Sequence, residues 1–219
     1  MHNIVQNLVD IQNKINSHLD EHKIDKVPKI IAVSKTFKIE KILPLIDHGH
    51  KHFGENKVQE AVDKWTEIKL SNPNIQLHLI GKLQTNKVKF AVKIFDYIHS
   101  VDSEKLAKKI SDEQIKINKK IKIFIQVNIG QEDQKSGTNV NELSSLISYC
   151  SKINLDVVGL MCIPPINENP VIYFEKMKKL NEENKFNELS MGMSSDYLKA
   201  AMNKATYLRI GSSIFGQRY

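Results

Sequence analysis

The chain has 219 residues, of which 41% are hydrophobic and 26% charged, enough for one sizeable core and too short for two full domains. No apolar run is long enough to cross a bilayer, and the first residues lack the basic and apolar blocks of a secretion signal. Cys150 and Cys162 form neither a disulfide framework nor a metal site, so a cytoplasmic, membrane-free, metal-free protein with two ordinary thiols is expected.

Ile4, Leu8, Ile11, Ile15 and Leu19 recur every three or four residues, which predicts an amphipathic helix over 3–21. A β-branched apolar run at 30–33 reads as a buried strand ending at Lys35. A helix follows over 39–48, stopped by Gly49. A short strand and its loop occupy 52–56, and a helix 58–70. Next come a strand at 77–81, a short helix at 86–92 and a strand at 97–101. A helix over 103–117 has Ser103 as its N-cap. The strongest strand signal lies at 121–128, followed by a helix over 139–152. A strand at 157–161, a helix over 171–185 and a strand at 188–191 come after it. A short helix over 196–203, capped by Ser194 or Ser195, leads to the last strand at 207–210.

Eight strands alternating with helices argue a parallel sheet with right-handed crossovers. Eight such units argue closure, so the expected fold is α/β, a single-domain (β/α)8 TIM-type barrel over 1–219 with an extra N-terminal helix. That helix could stand in for the missing eighth one. The runner-up is an open doubly wound sheet. The formal charge of +7 invites a nucleic-acid reading. The lysines, however, are scattered among acids at helical spacing, apart from a local patch at 116–122, and a solvated basic surface accounts for them. No exposed apolar stripe asks for a dimer, so a monomer is expected.

In a barrel the residues after each strand gather on one face, where ligands bind. Lys35 stands there after the first strand. A partly desolvated amine at that place could attack a carbonyl, although a strand-end lysine pointing into water is the plainer reading. The loops after the seventh and eighth strands tip the balance. They read Ser190-Met191-Gly192-Met193-Ser194-Ser195 and Arg209-Ile210-Gly211-Ser212-Ser213. Both combine glycine with serine hydroxyls, which suits a phosphate. A lysine facing a phosphate cradle points to a phosphorylated aldehyde, and pyridoxal phosphate fits, with Lys35 forming the Schiff base. Only two of the 32 basic residues are arginines, Arg209 and Arg218. Arg209 has the opposite parity to Leu208 and Ile210, so it faces inward and could reach the pyridine nitrogen. An arginine there disfavours a proton on the ring and weakens it as an electron sink.

Ala32-Val33-Ser34-Lys35-Thr36, Phe53-Gly54-Glu55-Asn56 with Gln59-Glu60, and His78-Leu79-Ile80-Gly81-Lys82-Leu83-Gln84-Thr85-Asn86-Lys87 resemble the pyridoxal phosphate homeostasis protein family. So do Gln126-Val127-Asn128 with Glu132, Lys135 and Gly137, then Gly159-Leu160-Met161-Cys162-Ile163-Pro164 and both C-terminal loops. The family is itself similar to the barrel domain of alanine racemase. The resemblance implies pyridoxal phosphate on Lys35, phosphate contacts at Ser194, Gly211 and Ser212, Arg209 near the pyridine nitrogen and Asn56 beside the cofactor. Ser212 stands where threonine is expected and keeps the hydroxyl. Lys57 stands where tyrosine is common.

The implied function is intracellular homeostasis of pyridoxal phosphate and amino-acid balance, without robust catalysis and with apo-enzymes that use the cofactor as partners. The alternative is a weak amino-acid racemase. Two-base racemisation needs a second proton-transfer group on the face opposite Lys35. The racemases this barrel resembles build that face with a further domain that is expected to be missing here.

Overall fold

The computed structural model describes residues 3–132, 134 and 136–217; Lys135 and Arg218 lie outside the described residues. Eight parallel strands close into a barrel in sequence order. They are β1 (Lys29–Val33), β2 (His52–Glu55), β3 (Gln76–Leu79), β4 (Tyr97–Val101), β5 (Lys122–Gln126), β6 (Asp156–Met161), β7 (Glu188–Ser190) and β8 (Tyr207–Ile210). Closure is made by β1 against β8, with Ile31 opposite Arg209. The open-sheet alternative is thereby excluded.

Helix α1 (Ile4–Glu21) precedes the barrel, and one α-helix follows each strand. These are α2 (Ile39–Asp47), α3 (Val58–Ser71), α4 (Val88–Ile94), α5 (Glu104–Lys116), α6 (Leu143–Lys152), α7 (Pro170–Glu183), α8 (Tyr197–Met202) and the single turn α9 (Ser212–Phe215). Five residues of α1, Ile4, Leu8, Ile11, Ile15 and Leu19, are buried, as their spacing requires. That face packs on α2, α8 and α9, where the short α9 leaves the ring thin. Asn7 adds a side-chain bond to the Ile214 carbonyl at 2.8 Å. Ser103 caps α5 by accepting from the Leu106 N–H.

Three expectations need correction. The helices expected from 86 and 139 each begin with a 3-10 turn, Thr85–Lys87 and Val140–Glu142, before α4 and α6. The strand expected over 121–128 stops at Gln126. Val127 still donates to the Met161 carbonyl of β6 but also bridges Thr138, a pairing that periodicity does not encode. The cap of α8 is neither Ser194 nor Ser195 but Asp196; the Asp196 carboxylate accepts the Met193 N–H at 2.6 Å. Ser194 is thereby left for the mouth of the barrel.

An outer apolar layer lies between strands and helices. The barrel interior is different. Barrel interiors are usually filled with Val, Ile and Leu. Here Ile31, Tyr97, Phe124, Met161 and Tyr207 form a smaller inner cluster interleaved with buried His78 and His99. The Tyr97 and Tyr207 hydroxyls lie 3.2 Å apart and take bonds from Lys122 and Lys29. This closes the end of the barrel opposite the ligand-binding face.

Candidate functional site

A cavity of about 330 Å³ opens at the carboxyl ends of the strands. Its lining includes Lys35, Asn56, Ser194, Arg209, Gly211 and Ser212. These are all six residues singled out from the sequence; Arg209 lies on β8, and the others follow β1, β2, β7 and β8. Val33, Ile80 and Ile163 supply an apolar wall. An adjoining depression of about 310 Å³ shares Asn56, Ile80 and Ile163 and runs towards Asn128 and Ser136.

Lys35 follows β1 in a tight turn. Phe37 N–H donates to the Ser34 carbonyl at 3.2 Å, and Thr36 sits at φ 68. Lys35 and Thr36 are thus the central residues of a type II-like turn. Asn56 follows β2 and is fixed by a close approach of backbone. A Cβ added at Gly81 would fall 2.5 Å from the Asn56 carbonyl oxygen, so any larger residue there would push Asn56 from its place.

The loop after β7 turns back at Gly192, whose φ of 90 suits glycine. Its carbonyl accepts the Arg209 N–H at 2.9 Å, which ties that loop to β8. The Ser194 hydroxyl oxygen then lies 3.4 Å from both the Gly211 and Ser213 amides. The Ser194 hydroxyl with two converging amides, from Gly211 and from Ser213 in α9, makes a spot suited to an anion.

Arg209 projects inward from β8 and is only 4% exposed. Its Nη1 donates to Ser190 Oγ at 2.7 Å and its Nη2 to the Cys162 carbonyl at 2.8 Å. Burial pulls its pKa below the usual arginine value, with Cys162 and Asp196 acting in the opposite sense. Behind it runs a chain of side chains through the barrel. His99 Nδ1 lies 2.9 Å from Ser190 Oγ, His78 Nδ1 lies 2.9 Å from His99 Nε2, and His52 Nδ1 lies 3.0 Å from His78 Nε2. Arginine can only donate, so Ser190 accepts from it and has its own proton free for His99. In that direction His99 donates to His78 and His78 to His52, so the Ser190, His99 and His78 protons each find an acceptor. Burial, then neighbouring positive charge, drives the pKa of His78 and His99 well below the ordinary histidine value. Both are neutral, and the cation at the end of the chain is Arg209.

Sequence reasoning assigned no role to His78 and His99. The available signal was parity, since His78 alternates with outward Leu77 and Leu79, and His99 with Ile98. It also missed the buried side of the Lys35 turn, where Glu55, Glu60 and Lys64 meet. The cavity presents an amine, an anion cradle, an inward cation and an apolar wall. That donor set fits a phosphorylated aromatic aldehyde of pyridoxal phosphate type.

Residues 7–219 match the family described as alanine racemase, N-terminal domain. The chain is 39% identical to the pyridoxal phosphate homeostasis protein of Aquifex aeolicus over 200 residues, 87% of each chain. It is 37% identical to the protein of the same name from Vibrio alginolyticus, over 100% of this chain and 99% of the other. A solved structure of PipY from Synechococcus elongatus PCC7942 with PLP bound is similar at a TM-score of 0.81 and 32% identity, covering 92% of this chain and 100% of that one.

Proposed function

The chain belongs to the pyridoxal phosphate homeostasis protein family, and from that premise we propose that it is a pyridoxal phosphate-binding protein of vitamin B6 and amino-acid homeostasis, holding its cofactor covalently on Lys35. One observation carries this reading. Lys35, Asn56, Ser194, Arg209, Gly211 and Ser212 come from separate stretches of chain and line a single cavity.

When bound, pyridoxal phosphate supplies an aldehyde conjugated to a pyridine ring. Lys35 would hold it through its side-chain amine, reversibly and with loss of water. Ser194, Gly211 and Ser212 would hold the phosphate, Asn56 would lie beside the ring, and Arg209 would stand at the ring nitrogen. A guanidinium has no lone pair to accept a proton from that nitrogen, and its charge opposes one there. The ring is thereby kept a weak electron sink, which suits custody of the aldehyde better than breaking a C–H bond. In this reading residues 1–219 act as one domain, a cytoplasmic monomer that takes no nucleic acid and passes the aldehyde to apo-enzymes.

The test is an absorption spectrum of the purified protein with added pyridoxal phosphate, before and after borohydride, followed by peptide mapping. A visible band that borohydride removes, with the adduct on Lys35, is expected. A protein that stays colourless would overturn the reading. Ser194→Ala should keep the band and weaken retention by about 1–3 kcal/mol, the cost of leaving a charged oxygen short of one hydrogen bond. Equilibrium dialysis checks it, and unchanged affinity would remove Ser194 from the cradle.

A further inference from the structure

We propose that Glu60 and Lys64 are positioning residues for Lys35, holding the strained turn that presents its amine to the cavity. The proposal rests on the reading of Lys35 as the cofactor-bearing lysine. Thr36 follows Lys35 directly and sits at φ 68. For a β-branched residue that region is an outlier, held only where its surroundings over-determine it.

The surroundings here are one turn of α3. Lys64 Nζ donates to the Ser34 carbonyl at 3.0 Å, to Glu55 Oε1 at 2.9 Å and to Glu60 Oε1 at 3.0 Å. All three of its N–H groups are used. Glu60 Oε1 also accepts the Thr36 N–H. The peptide groups on both sides of Lys35 are therefore held by an ion pair at i, i+4 on α3. Ser34 Oγ and Trp65 Nε1 donate to Glu55 Oε1 at 2.8 and 2.9 Å, which anchors the cluster to β2. Phe37 stacks on Phe215 of α9 with ring centroids 5.0 Å apart, so the turn is braced against the phosphate loop as well.

Glu60 and Lys64 have a geometric alternative, that of an ordinary ion pair stapling a helix to a loop. The turn distinguishes the two. A staple has no reason to depend on the backbone preference of residue 36, whereas a clamp that holds a strained Thr36 becomes dispensable once glycine stands there, because glycine takes φ 68 without steric cost.

The experiment compares Glu60→Ala, Glu60→Gln, and Glu60→Ala combined with Thr36→Gly. Glu60 is 25% exposed, so alanine on a helix is tolerated there, whereas removing Lys64 would strand the fully buried Glu55. Two readouts are taken. One is acetylation of Lys35 by acetic anhydride in the cofactor-free protein, measured against exposed Lys152 by mass spectrometry. The other is the dissociation constant for pyridoxal phosphate. Glu60→Ala should raise Lys35 acetylation towards that of Lys152 and weaken cofactor binding roughly tenfold, the scale of one strained residue. Glu60→Gln, which keeps an acceptor for the Thr36 N–H, should recover most of both, and so should the added Thr36→Gly. Unchanged acetylation in Glu60→Ala, or a loss that Thr36→Gly leaves in place, would overturn the clamp. If the wild-type chain takes up no cofactor, the functional reading fails, and the acetylation arm still decides the clamp.

Discussion

Lys35→Ala should remove covalent cofactor capture entirely while leaving the barrel folded. In the proposed function the Lys35 amine forms the bond, so no neighbouring group could take over its part without a lysine placed against the same cradle. Lys82 lines the adjoining depression with Asn128 and Ser136 rather than the cavity that holds Ser194 and Gly211. The fold should survive because Lys35 belongs to neither apolar cluster. The turn around it is made by backbone groups and by Glu60 and Lys64. The stability change should stay within about 0.5 kcal/mol, as for other substitutions outside the core. The phosphate cradle is untouched, so the variant should still bind pyridoxal phosphate weakly and reversibly. Borohydride treatment and peptide mapping check the first part, and thermal unfolding the second. An adduct on another lysine would mean that the amine has been misassigned.

The barrel was legible because its signals are local and repeated. Each strand is a short apolar run and each helix a 3.6-residue pattern, and eight such pairs admit few arrangements. The cavity residues were legible for a related reason. In this fold every strand end reaches the same face, so Lys35, Ser194 and Gly211 could be placed together before any distance was known. What stayed hidden depends on pairs of residues far apart in sequence. The cap of α8 was expected at Ser194 or Ser195 and falls at Asp196, because Ser194 is drawn away by the Gly211 and Ser213 amides. The histidine chain joins β2, β3, β4 and β7 through side-chain nitrogens, and spacing along one strand says nothing of that. Thr36 in the left-handed region was equally hidden, since threonine is the wrong residue from which to expect it.

Those histidines give the chain a specific weakness to acid. Burial, reinforced by nearby positive charge, lowers the pKa of His52 to about 4; burial does the same for His50. His78 and His99 are driven well below the ordinary value. In the unfolded chain all four titrate near 6.5. As the pH falls through 6.5 the unfolded state takes up protons that the folded state refuses, so stability falls with pH. The contribution of His50 and His52 stops falling near pH 4, where the folded forms protonate too, while that of His78 and His99 continues lower. Between pH 7 and 5 all four imidazoles stay neutral in the folded chain while the unfolded chain takes up protons, so all four contribute to the loss. Glu55 works against the trend. Its pKa is raised by burial, which outweighs the charge of Lys64, so its protonation favours the folded state as the pH drops below that raised value. One carboxyl cannot offset four imidazoles that begin to titrate near 6.5. The urea midpoint should therefore fall steeply from pH 7 to pH 5 with an unchanged m-value, and His52→Phe should flatten part of the slope. A midpoint that holds steady over that range would show that the buried imidazoles accept protons in place, and the one-way chain ending at Arg209 could not then stand.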